Sequence, residues 1–299
     1  YRYVEVLAEW KDENREIDNK EIVECSFRTF GIEWGFHVDI TDYLPKWLVE
    51  MQDVCSAHLG PNCHNAALVY VNILTKLRYS EHGELNFFLE SPLCREKLPH
   101  EEMEEGDIIS IRDYVSHDEK KYKFREVHSF IHLFGDLAFS KNGLDNWQEY
   151  GLKSKQEVFN TYDLEESCSR VFSFPFNKSN MKDVTSCERY ANVHQCSSFE
   201  DWMSGINVPN AVKKLLSKID DIEGDIETQV FNEDSDPELS KTKIELENLI
   251  GDIEVALKKE NDDNSKFILS SIKKRATSSL EQISILGTNK FLLFLYRVF

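Results

Sequence analysis

Between about residues 209 and 286 the apolar residues recur at a helical period in three consecutive stripes, and this pattern narrows the fold more than any other feature of the chain. Val212, Leu215, Leu216, Ile219, Ile226 and Val230 make the first stripe. Leu239, Leu246, Leu249, Ile250, Ile253 and Leu257 make the second, and Ile268, Ile272, Ala276, Leu280 and Ile283 the third. Helices of this kind are marginal alone and gain their stability by burying the apolar face. The spacing therefore predicts a helical hairpin or three-helix region, broken at residues 232–237 and 261–264, with charged faces left in solvent. The short apolar tail from Phe291 to Phe299 reads as a final strand returning to the core, beside an N-terminal strand.

The preceding residues carry a different signature. Tyr1 to Trp10 and Ile22 to Ile40 are aromatic and β-branched, with Gly31 and Gly35 as bends, and predict strands. Pro45 opens a short helix through Trp47, Leu48 and Met51. A tight loop, His58 to Asn62, leads into the clearest helix of the first half, with Ala66, Ala67, Tyr70, Ile73, Leu74 and Leu77 at helical spacing. A turn-rich stretch follows, then Gly106-Asp107 before the strand Ile108 to Ile111. Val127 to Phe134 is a strand, and Gly135-Asp136 turns it into Leu137 to Ser140 as a β-hairpin. Strands first and helices last give an α+β chain of two parts, residues 1–205 and 206–299.

The 299 residues include 54 Asp+Glu against 35 Lys+Arg, a formal charge of −19. Nucleic acid must be neutralised by clustered basic residues, and no basic run exceeds Lys273-Lys274-Arg275. An anionic membrane surface is excluded on the same ground, and no stretch has the apolar length to span a bilayer. With 41% hydrophobic and 12% aromatic residues, the chain can build a core.

Seven cysteines are present: Cys25, Cys55, Cys63, Cys94, Cys168, Cys187 and Cys196. An odd number in an exported protein implies paired structural cysteines plus one free thiol. The Ser/Asn-rich stretch holding Cys168, Cys187 and Cys196 is suited to a staple, so at least one bridge is expected there and a secreted or periplasmic location follows. A chain beginning at Tyr1 rather than Met is what a cleaved leader, or trimming of the sequence, would leave.

Cys63 stands out among the seven. It follows Gly60-Pro61-Asn62 and opens an amphipathic helix, where backbone N–H groups and the helix dipole favour a thiolate. His128 is the candidate base; alternation along its strand puts His128, Phe130 and His132 on one face and Val127, Ser129 and Ile131 on the other. A Cys–His pair needs a third group to orient the imidazole. Ser140 and Asn142 sit on the returning strand, and Asn142, with an amide carbonyl for the ring N–H, is the preferred orienter. Two looser sets have zinc-type ligands: Cys55, His58, Cys63 and His64, and Cys187, Glu188, His194 and Cys196. The second pair of the first set is adjacent in sequence and diverges on a starting helix. No metal or cofactor is assigned, and no phosphate loop, dinucleotide fingerprint or Gly-x-Ser-x-Gly elbow occurs.

The order Asn62-Cys63-His64-Asn65-Ala66-Ala67-Leu68, then Gly106-Asp107-Ile108-Ile109, then His128 to Asp136 resembles the NlpC-type papain-like cysteine peptidases and amidases of bacterial cell walls. The match covers roughly residues 55–145. The family usually has Asp-Cys-Ser where this chain has Asn62-Cys63-His64, and its His strand has a small residue two after the base. The resemblance implies a papain-like core in which a nucleophile-bearing helix packs on an antiparallel sheet. It implies Cys63 as nucleophile, His128 as base, Ser140 or Asn142 as orienter, and a peptidoglycan peptide or another amide as substrate. A Cys–His acyltransferase and a catalytically degenerate interaction or inhibitor protein on the same scaffold are the alternatives.

Overall fold

A computed structural model of the chain describes residues 22–27, 34–38, 59–98, 101–116, 123–143, 150–164, 168, 187, 189–231 and 239–298. The strand expected at Tyr1 to Trp10, the helix at Pro45, and Cys55 and His58 lie outside these residues. Strands β1 (Ile22–Phe27) and β2 (Trp34–Val38) form an antiparallel pair of their own. Helices α1 (Cys63–Tyr70) and α2 (His82–Leu89) precede the main sheet. Its strands are β3 (Cys94–Glu96), β4 (Ile108–Ser116), β5 (Lys123–Phe134), β6 (Leu137–Lys141) and β7 (Tyr150–Ser154). Helix α3 (Lys155–Thr161), strand β8 (Arg189–Cys196) and the short helix α4 (Phe199–Ser204) follow. Three long helices end the chain: α5 (Asn210–Phe231), α6 (Leu239–Lys259) and α7 (Asp263–Val298).

The main sheet is antiparallel in the order β3-β8-β4-β5-β6-β7. The Gly135-Asp136 turn works as its sequence requires, with Gly135 at φ 52°. One face carries Ile108, Ile131, Leu133 and Phe139 against Leu68 of α1 and Leu85 and Phe88 of α2. The same core continues without a break into Ile219, Leu246, Leu249, Ile268 and Ile272 of the last three helices. Residues on both sides of position 205 thus share one apolar interior, each buried Leu or Ile contributing about 1.5–3 kcal/mol. The division at residue 205 is a change of element type within that interior. The other face carries Ile109, Ile111, Phe130, Ala138 and Ala191, covered by Val158 and Phe159 of α3.

A buried ionic network joins these parts. The guanidinium of Arg78, fully buried, donates to Glu84 of α2 at 2.9 and 2.7 Å and to Glu223 of α5 at 2.8 Å. Glu223 also accepts from Arg275 of α7 at 2.6 Å, and Arg275 pairs in turn with Asp220. Each charge has a partner, the condition under which buried ions are tolerated.

Four expectations are corrected. Helix α1 stops at Tyr70, because Asn72 adopts a left-handed conformation (φ 56°) and the N–H groups of Ile73 and Leu74 turn back to the Leu68 carbonyl. Ile73, Leu74 and Leu77 are still core residues, but on irregular chain. Helix α2 stands in the stretch expected to be turns; Leu85, Phe88 and Leu89 form its buried stripe. The apolar tail is no strand: α7 runs on to Val298, as short apolar runs rich in Leu allow. Finally, Ile111 pairs with His128 and Arg112 with Glu126, so Val127 is an extra residue in β5. This bulge puts Val127 against the Phe130 cluster and not with Ser129 and Ile131.

Candidate active site

Cys63 is the first residue of α1. The Asn62 side chain caps the helix by accepting from the Asn65 N–H at 3.1 Å. The same side chain donates to the Ser80 carbonyl at 2.8 Å, and Asn65 accepts from the Arg78 N–H at 3.1 Å. The first turn of α1 is thereby clamped to residues 76–80. Cys63 is a free thiol and is 5% exposed.

His128 sits directly after the bulge, at a point where the strand twist is re-aimed. Its Nε2 lies 2.9 Å from Ser140 Oγ, and Ser140 Oγ donates to Asn142 Oδ1 at 3.5 Å. A hydroxyl that donates to Asn142 accepts the Nε2–H of the ring, which leaves the Nδ1 lone pair free. Nδ1 has no hydrogen-bond partner among the described residues. Cys63 is the group coupled to this ring. Burial by itself pushes the Cys63 thiol up, but the charge of His128 and the N–H groups of Ser129 and His64 outweigh it, and the net shift is below the ordinary thiol value. With Nε2 committed to Ser140, Nδ1 is the ring nitrogen left for a further partner.

The structure therefore joins His128 to Ser140, and Cys63 stands near enough for the ring's charge to act on its thiol. Asn142, the preferred orienter, makes no hydrogen bond to the imidazole among the described residues; it follows the end of β6 and stands one hydroxyl further out, because Ser140 within β6 holds the ring. Residues that sequence reasoning missed complete the surroundings. Tyr162, just after α3, stacks on His128 with ring centroids 4.1 Å apart. His64 Nδ1 is 3.0 Å from Ser129 Oγ and 3.6 Å from Cys63 Sγ. Burial pushes its pKa down to about 4, against the pull of Glu126 and Glu84, so His64 is a neutral neighbour of the thiol. His64 was visible in the sequence only as a metal-type ligand; nothing local signalled Tyr162.

The second metal-type set is dismantled by its own cysteines. Cys187 is bridged to Cys168, and Cys196 to Cys94 across the edge pair β3–β8, so neither offers a thiolate. Both bridges use cysteines of the expected stapled cluster. No helix among the described residues is long and apolar enough to cross a membrane. No protein-family model, curated protein or solved structure matches the chain.

Proposed function

We propose that the protein is an exported cysteine hydrolase that opens an amide bond with a Cys63 thiolate and a His128 base, and that its substrate class is the peptide of peptidoglycan. The observation that carries this reading is Cys63 at the first position of a capped helix, its thiol lowered by His128, whose Nε2 is held by Ser140. Export is supported by the two disulfides, which persist in oxidising compartments. The substrate class follows from the resemblance to NlpC-type enzymes.

In this reaction the sulfur attacks the amide carbonyl carbon, forming a C–S bond and an oxyanion. The N–H of Cys63, an unbonded donor of the first helical turn, faces the developing charge with a neighbouring N–H. The protonated His128 gives its Nδ1 proton to the departing amine as the C–N bond breaks, leaving a thioester. Water then adds to the thioester while His128 takes its proton, releasing the acid and restoring the thiol. An amine or hydroxyl in place of water would make the same site an acyltransferase. A non-catalytic scaffold is favoured by one observation, the burial of the pair, with Cys63 5% and His128 0% exposed.

The test is digestion of purified peptidoglycan with wild type and Cys63→Ala, read by mass spectrometry, beside alkylation of Cys63 at mildly acidic pH. Soluble fragments with new amine and acid ends from wild type alone support the hydrolase. Fast alkylation without fragments overturns the substrate class. A thiol inert at that pH overturns the nucleophile.

A further inference from the structure

One side chain of the last helix grips both chain segments that hold the nucleophile. Gln282 of α7 donates through Nε2 to the Leu59 carbonyl at 2.9 Å and accepts through Oε1 from the Tyr79 N–H at 2.8 Å. Leu59 lies three residues before the cap residue Asn62, and Tyr79 directly precedes Ser80. Asn62 and Ser80 are themselves joined twice, by Asn62 Nδ2 to the Ser80 carbonyl at 2.8 Å and by the Ser80 N–H to Asn62 Oδ1 at 3.4 Å. Two amide side chains thus bridge the same pair of segments. Asn62 does so from the nucleophile's side and Gln282 from the C-terminal helices.

The fit around Gln282 is close. It is fully buried. A Cβ added at Gly60 would stand 2.3 Å from Gln282 Oε1 and 2.7 Å from Nε2, so residue 60 must lack a side chain for the bridge to form. Neighbouring polar groups of the same helices hold the rest of the segment. Glu227 of α5 accepts from the Leu77 N–H at 2.8 Å, and Ser278 of α7 from the Glu81 N–H at 3.5 Å.

We propose that Gln282 is a positioning residue for Cys63: by fixing Leu59 and Tyr79 against α7, it sets the entry of the chain into α1 and thereby the approach of the sulfur to His128 and to the Ser129 N–H. This rests on the reading of Cys63 as the nucleophile. The C-terminal helices are then part of the catalytic apparatus and not an attached recognition module. A thiol held against an imidazole and backbone N–H groups is a sensitive gauge of such positioning, because each contact is lost over a fraction of an ångström.

The experiment is the pH dependence of Cys63 alkylation by iodoacetamide in the full chain, which needs no substrate. Gln282→Met keeps the shape and removes both hydrogen bonds. It should raise the midpoint of the curve by about one pH unit, as loss of an activating environment does. Gly60→Ala should move it the same way, and Gly60→Ala combined with Gln282→Ala should be no worse than Gln282→Ala alone, since the shorter side chain removes the clash. Leu249→Ala, a core cavity in α6, should lower the melting temperature and leave the midpoint in place. The proposal is overturned if Gln282→Met or Gly60→Ala folds with an unshifted midpoint, or if Leu249→Ala shifts it equally. A wild-type thiol with an ordinary midpoint would instead overturn the nucleophile itself, a result distinct from any of these.

Discussion

Tyr162 lies flat against His128, their ring centroids 4.1 Å apart and their planes 17° from parallel. The phenol ring covers one face of an imidazole that has no exposed surface of its own. Burial, followed by the negative charge of Cys63, raises the Tyr162 hydroxyl well above the usual phenol range, so the cover is a neutral ring. The chain reverses just after it, with Asp163 in a left-handed conformation at φ 49°. Tyr162→Ala should uncover the site. Alkylation of Cys63 should become severalfold faster, and the fold should lose the stacking contribution of about 0.5–1.5 kcal/mol together with the ring's buried area. Unchanged alkylation kinetics in a folded variant would mean that reagents reach the sulfur by another side.

Ser140 and Asn142 can be separated by mutation. Ser140→Ala removes the group on His128 Nε2 and frees the ring to rotate or change tautomer. On an amide substrate, kcat/KM should fall by about 10²–10⁴, the range for loss of a general acid–base arrangement. Asn142→Ala removes only the acceptor behind Ser140 and should cost clearly less. A larger loss for Asn142→Ala would restore it as the direct orienter.

Acid should destabilise the protein through its buried histidines. Burial holds His64 at about 4. Burial, with Lys155 and Lys97 nearby, holds His132 at about 3, and burial, with Arg112 nearby, holds His194 at about 3. In the unfolded chain these rings take up protons near the ordinary value of about 6.5. The unfolded state therefore binds more protons across the interval between, and stability falls as the pH drops from about 6.5 towards 4 and below. Among the described residues neither ring nitrogen of His194 has a hydrogen-bond partner. Replacing such a group by an apolar one of similar size relieves an unmet desolvation cost of about 1–3 kcal/mol. His194→Leu should therefore raise the urea midpoint at pH 7, and the loss of stability between pH 7 and pH 5 should become shallower. A lower midpoint at both pH values would show that the ring is needed where it is.

Glu223 carries two arginines. Burial alone would raise its carboxyl, but Arg275 and Arg78 hold it below the usual carboxylate range. Glu223→Ala leaves Arg275 with Asp220 and Arg78 with Glu84 as their remaining carboxylates. Removing one member of a buried ionic network costs about 3–5 kcal/mol. Chemical denaturation should show a loss of that size, whereas Glu254→Ala, which breaks an exposed pair with Lys273, should change little.

What could be read from the sequence was local. Asn62 before Cys63 signals a helix start and Gly135-Asp136 signals a hairpin, and both stand where expected. The stripes from Val212 to Ile283 predict helices because the period of buried Leu and Ile is a property of each helix alone. The failures came from what distant residues decide. Asn72 could end α1 or pass through it, and the choice lies in how Ile73 and Leu74 reach the core. The bulge at Val127 depends on the register between β4 and β5, which no pattern in β5 reports. Tyr162 meets His128, and Gln282 meets Leu59, only because the fold brings together positions far apart in sequence. The orienting group went to Asn142 because chemistry favoured an amide, while reach favoured Ser140.

The Cys94–Cys196 bridge spans a sequence separation of 102 residues and closes them into a covalent ring. His128 and Ser140 lie inside that ring, and Cys63 lies outside it. A protease that cuts once anywhere between the two half-cystines opens the ring without releasing either piece. The nicked protein would still migrate as one species until a reductant is added. Electrophoresis with and without thiol after limited digestion therefore tells a cut inside the ring, on the His128 side, from one outside it, on the Cys63 side. It also means that an oxidised molecule cut once inside the ring keeps His128 tethered to Cys63.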